Sequence, residues 1–149
     1  MVLIPDHSFT ETSFFHVSRL FHSLKHIAIG NDSFINAHQF GLNDLNELES
    51  IRIGTNCFPS STLSRFTHCR RLRSIAIGDR SFRDCSFIEI GDLPSLESLA
   101  IDDDCFDFCN TFQLQVALAD KNNDRLAFTK VCYRRRVILL ALSHDGDEG

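Results

Sequence analysis

The residues best suited to chemistry in this chain are its cysteines, histidines and clustered charges, and their spacing decides what they can do. His68 and Cys69 are the one adjacent imidazole and thiol. Nucleophilic catalysis needs such a pair plus an orienting acid, and Cys69 stands where neighbouring segments carry an apolar residue, so packing is its expected role. A zinc site needs four convergent thiolate or imidazole ligands. Neither Cys105 with Cys109 nor His22 with His26 comes with a second matched pair. The run Asp102, Asp103, Asp104, with Asp107 nearby, lacks the alternating ligands, glycine and distal glutamate of a calcium loop and is expected to be a solvated ridge. Arg70, Arg71 and Arg73, and Arg134, Arg135 and Arg136, form two basic clusters without interleaved aromatics. In a chain with a formal net charge of -5 they are expected to be solvated edges, not a nucleic-acid surface. No catalytic residue, cofactor or metal ligand is assigned, and the chain is not expected to be an enzyme.

The elements that must position these residues come from a repeat. At an offset of 24 the sequence aligns with itself as LKHIAIGNDSF from Leu24, LESIRIGTNCF from Leu48, LRSIAIGDRSF from Leu72 and LESLAIDDDCF from Leu96. Leucine opens and phenylalanine closes all four blocks, a coincidence with a chance on the order of 10⁻⁸. VLIPDHSF, Val2 to Phe9, is a partial earlier copy once one extra residue is allowed. The alternation around Ile27 and Ile29 predicts a short strand in each block, and Gly30, Gly54 and Gly78 are expected to permit the turn out of it. A looser apolar set follows: Phe40, Leu42 and Leu45; Leu63, Phe66 and Cys69; Ile88, Ile90 and Leu93; Phe112 and Leu114. It supplies the opposite wall, and its second member, after Pro59, is expected to be loop or one helical turn. Strands returning in register give a solenoid in which each coil buries its apolar face on its neighbours.

These blocks resemble the leucine-rich repeats. LESIRIGTNCF fits the core pattern LxxLxLxxNxL with Phe58 in the last apolar slot, Leu45 and Leu93 fall at the final apolar position of longer repeats, and IGxxSF is similar to the BspA-like and protist families. The resemblance spans Val2 to Leu118. It departs at the asparagine slot, which holds Asp32, Asn56, Arg80 and Asp104, so the usual amide ladder is incomplete. The expected fold is therefore an α/β repeat solenoid of leucine-rich-repeat type, mostly β, with parallel strands on the concave face and short strands, turns or single helical turns on the convex side. Residues 1–119 form the solenoid, as a partial repeat 2–23 and repeats 24–47, 48–71, 72–95 and 96–119. Residues 120–149 are expected to be a C-terminal cap followed by the disordered acidic tail SHDGDEG.

The resemblance implies protein or peptide recognition through the strand face. Its outward columns read Lys25, Glu49, Arg73, Glu97, an alternating and self-neutralising ladder; His26, Ser50, Ser74, Ser98; and Ala28, Arg52, Ala76, Ala100. His26, Ser50, Arg52 and Ser74 on this face, with Asp79 and Asp103 in the following turns, are the candidate partner-binding residues. The alternative is a structural or truncated array segment that self-associates through its open N-terminal coil. Neither nucleic acid nor membrane is an expected partner, since the longest apolar run, Val137 to Leu142, is too short to span a bilayer. Without a signal-peptide pattern at the start, the expected location is intracellular. Cysteine exchanges with serine across blocks (Cys57 and Cys105 against Ser33 and Ser81), which predicts small buried fillers. Cys85 and Cys109 share a slot one coil apart, close enough for a disulfide in an oxidising compartment, but parallel side chains make the geometry poor, so free thiols are the expectation in a reducing one. The sequon Asn31-Asp32-Ser33 is read as accidental.

Overall fold

The computed structural model describes residues 1–119, 125–133 and 136–144, with side chains through Gln115. Each coil contains two strands. The first strands, β1 (Val2–Ile4), β3 (His26–Ile29), β5 (Ser50–Ile53), β7 (Ser74–Ile77) and β9 (Ser98–Ile101), form one five-stranded sheet, sheet A, in that order. The return strands, β2 (Phe14–Val17), β4 (Gln39–Asn43), β6 (Leu63–Thr67), β8 (Phe87–Gly91) and β10 (Thr111–Ala119), form a second, sheet B. Pairing within the coils is parallel throughout. From β3 onward the register is 24, as in His26 beside Ser50 beside Ser74 beside Ser98. Both β1 and β2 pair at an offset of 25, so the extra residue lies between Val17 and Leu24. A 3-10 turn at Arg19–Phe21 accommodates it.

This solenoid of five coils is mostly β, and among the described residues it contains no α-helix, which corrects the α/β assignment. It also corrects the second block, since Leu63–Thr67 is a strand and not a loop or helical turn. The inward residues of the return strands are Phe40 and Leu42, Ser64 and Phe66, Ile88 and Ile90, Phe112 and Leu114. Ser64 breaks the apolar alternation, yet it is fully buried because its hydroxyl bonds that of Ser61 at 2.8 Å. Leu63 points outward and is half-buried, so it does not belong to the core set. Residues 125–133 and 136–144 are also extended: β11 (Arg125–Tyr133) and β12 (Arg136–His144) add to β10 as antiparallel strands. Ser143 and His144 thus belong to β12, while the rest of the expected tail, residues 145–149, lies outside the described residues, as do 120–124, Arg134 and Arg135.

The core is a set of columns, each one residue per coil. Leu24, Leu48, Leu72 and Leu96 make one, and the inward isoleucines of sheet A make two more. Phe34, Phe58, Phe82 and Phe106 stack with centroids 4.9, 5.3 and 5.9 Å apart, and Phe9 extends the stack at 5.1 Å. A column of small residues, Ala37, Ser61, Cys85 and Cys109, fills the space beside them. Its last two members are joined in a disulfide across Cα atoms 4.6 Å apart, which corrects the expectation of free thiols.

The corners turn through left-handed residues that are not glycine. Asp32, Asn56, Arg80 and Asp104 have φ between 53° and 59°, and the phenylalanines two positions later have φ between 51° and 60°. The opposite corner uses Asp44, His68 and Asp92. No glycine has positive φ, so Gly30, Gly54 and Gly78 do not serve the turn conformation expected of them. They are required by close stacking: a Cβ on Gly54 would lie 2.8 Å from the Gly30 carbonyl carbon, and one on Gly78 would lie 2.7 Å from that of Gly54. Asp102 stands at this position in the last coil, and nothing in the structure explains that exchange.

The interchange of serine and cysteine has a cause beyond size. Ser81 Oγ donates to the Gly54 carbonyl at 2.8 Å and accepts from the Cys57 N–H at 3.0 Å. Cys57 Sγ donates likewise to Gly30, and Cys105 Sγ to Gly78, both at 3.1 Å. A small donor is what the slot selects. Ser81→Ala is expected to lower stability by about 1–3 kcal/mol, because it leaves buried backbone groups unpaired. Ser81→Cys should lose less, and chemical denaturation of the two variants checks the order.

Candidate functional site

The outward face of sheet A is built from the positions between the buried isoleucines, so the 24-residue register turns each column into a row along the solenoid. The middle row reads Leu3, Ala28, Arg52, Ala76, Ala100. Beside it run Gly30, Gly54 and Gly78, ending at Asp102. With no bulky side chain in either row between Leu3 and Asp102 except Arg52, these rows leave an open groove of about 590 Å³ across all five coils.

Of the candidate residues, four share this face. His26, Ser50, Arg52 and Ser74 all lie on sheet A, with the His26 Nδ1 and Ser50 Oγ atoms 2.9 Å apart. Asp79 and Asp103 lie instead at the corner after the sheet, where Asp79 Oδ1 accepts from the Asp103 backbone N–H at 3.1 Å. Asn31 Oδ1 does the same for Thr55 at 2.8 Å, and Asp6 Oδ1 for Asn31 at 2.7 Å. This side-chain ladder gives Asp79 and Asn31 work in the fold.

Four cations elsewhere are matched one coil apart. Lys25 meets Glu49 at 3.6 Å, Arg73 meets Glu97 at 3.9 Å, Arg71 meets Glu47 at 2.7 Å and Arg65 meets Glu89 at 3.4 Å. Arg52 differs. It is the one Lys, Arg, Asp or Glu within the five strands of sheet A, and its neighbours at the equivalent position are Ala28 and Ala76. Its guanidinium makes no ion pair among the described residues, and it is exposed.

Sheet B carries two adjoining grooves, of about 410 and 350 Å³, which share Thr67, His68 and Glu89. Gly41 and Gly91 open their floors. Sequence reasoning missed them because it left the return segments open between short strands, turns and single helical turns. Arg65 pairs with Glu89 there, and His68 Nε2 lies 3.3 Å from Asp92 Oδ2. His68 Nδ1 also lies 3.0 Å from Asn43 Oδ1. Its sequence neighbour Cys69 is buried and donates to the Thr67 carbonyl.

Burial pushes the thiols of Cys57, Cys69 and Cys105 up to about 11. A raised thiol pKa keeps the folded state neutral, so its contribution to stability is complete below the unfolded pKa of about 8.5 and is lost as pH rises toward 11. The denaturation midpoint is therefore expected to hold from pH 7 to 8 and fall above about pH 9. Cys57→Ser should flatten part of that fall. An unchanged slope in the variant would contradict the assignment.

Among the described residues, no group of three or more His, Cys, Asp or Glu is placed to hold a metal ion, and no helix is long and apolar enough to cross a membrane. Comparison with protein-family models, curated proteins and solved structures finds no match for the chain.

Proposed function

We propose that the chain is a non-catalytic protein-interaction module that holds a protein or peptide on the outward face of sheet A. The observation that carries this reading is the groove along that face, which has a floor of alanine and glycine and one unmatched cation, Arg52. Interfaces draw much of their energy from a few anchors, with arginine prominent among them, seated within flat complementary surroundings. The leucine-rich type of repeat belongs to the same reading, supported by the core LESIRIGTNCF. Nucleic acid and membrane are not the partners it calls for.

Ala76→Trp puts a large side chain in the middle of the floor without touching the core columns. Cross-linking of a specific partner from native extracts by the wild type, and its loss in Ala76→Trp with the circular dichroism spectrum retained, is the expected result. Undiminished cross-linking in the variant would overturn the choice of face.

A second reading, self-association through the first coil, is favoured by one observation. Six of the seven large apolar side chains exposed among the described residues lie there: Met1, Leu3, Phe9, Phe14, Leu20 and Phe21. Light scattering over a dilution series separates the readings, since assembly that disappears in Phe14→Asp supports this one and a monomer at all concentrations removes it.

A further inference from the structure

The rows of the sheet A groove specify more than that something binds there. The middle row begins at an exposed apolar side chain, Leu3, and passes the lone cation, Arg52, two coils later. Two coils further on, the parallel row ends at a carboxylate, Asp102, at the position where the three preceding coils carry glycine. Parallel strands stack about 4.8 Å apart, so each interval is about 10 Å along the solenoid axis, with Asp102 also offset by two residues, about 7 Å, along the strand direction. A peptide in the polyproline II conformation advances about 3.1 Å per residue with three residues per turn, so it covers nearly the same distance in three residues and returns every third side chain to one face. The three features therefore have the spacing of side chains at every third position of a polyproline II segment lying across the strands.

Building on the interaction reading above, we propose that the groove takes a polyproline II peptide of the form apolar-x-x-acidic-x-x-basic, with the apolar residue against Leu3, the carboxylate on Arg52 and the cation at Asp102. The ladders of the fold explain why Arg52 is available: carboxylates one coil away match Lys25, Arg65, Arg71 and Arg73, whereas the column of Arg52 offers only methyl groups. The alanine and glycine floor lets the peptide backbone approach closely, and bulky x residues would be accommodated only where they point away from it. Asp102 then has a use that its departure from glycine otherwise lacks.

The test uses the full chain and a fluorescein-labelled heptapeptide carrying Leu, Glu and Lys at its first, fourth and seventh positions with Pro between, together with the reversed sequence. Anisotropy titration is expected to show saturable binding of one of the two, weaker by at least tenfold for Arg52→Glu and for Asp102→Lys, both of which sit on the surface. Changing the peptide's Glu to Lys should restore binding to Arg52→Glu. Absence of saturable binding for both peptides up to about 1 mM, or binding indifferent to these charge reversals, would overturn the proposal. Retention of a cross-linked native partner by Arg52→Glu but not by Ala76→Trp would separate the two ideas, leaving the binding face standing and the peptide rule lost.

Discussion

Replacing Phe58 with alanine is expected to destabilise the protein by about 3–5 kcal/mol, the largest effect of any single substitution considered. The ring is fully buried, stacked between Phe34 and Phe82 and met edge-on by Phe40 at 4.9 Å. Neighbouring coils cannot close over the gap, because their spacing is fixed by the hydrogen bonds of both sheets. A second variant gives the prediction a sharper form. Phe58 has φ of 51°, a left-handed conformation that costs a non-glycine residue about 1–2 kcal/mol. Phe58→Gly removes that strain along with the ring, whereas Phe58→Ala retains it. The glycine variant should therefore be at least as stable as the alanine variant, the reverse of the order in an ordinary strand. Denaturant unfolding of both checks it.

Gly54→Ala is the second large effect, at about 1–3 kcal/mol lost for the addition of one methyl group. The new Cβ would lie 2.6 Å from Asn31 Oδ1 and 2.8 Å from both the Asn31 nitrogen and the Gly30 carbonyl carbon. Two of these are backbone atoms of the preceding coil, which cannot turn aside as a flexible side chain would. The Asn31 oxygen is itself held by the Thr55 N–H at 2.8 Å. Gly91→Ala is the control: its Cβ would find nothing nearer than 3.5 Å, so that variant should unfold close to the wild type. Equal behaviour of the two would mean that the coils are not packed at this corner as described.

The strands of sheet A were legible because leucine, isoleucine and phenylalanine recur without a gap in four blocks. The return strands were only partly so, left open between short strands, turns and helical turns, and Ser64 shows why the second was read as loop or helical turn. Periodicity counts apolar residues, while burial there accepts a hydroxyl that finds Ser61. The purpose of the glycines was misread for a related reason, since close contact between residues 24 apart leaves no local mark and a glycine after a strand looks like a turn. The left-handed phenylalanines could not be anticipated at all, because burial in the stack overrides the backbone preference of the residue. At the candidate site, the columns placed His26, Ser50, Arg52 and Ser74 on one face. Asp79, and with it Asp103, is drawn into a hydrogen-bond ladder invisible in sequence, and Leu3 and Asp102 were passed over because their neighbours in the groove emerge only when all five coils are stacked.

The measurement that bears most directly on the account is a nuclear Overhauser spectrum of the chain with labelled alanine methyls. Face and groove both depend on Ala28, Arg52, Ala76 and Ala100 forming one row. Cross-peaks between the Ala76 and Ala100 methyls, and from the Arg52 β-protons to the methyls of Ala28 and Ala76, are the predicted result. A folded, well-dispersed spectrum without those contacts would contradict the 24-residue register, and the proposed binding face would go with it.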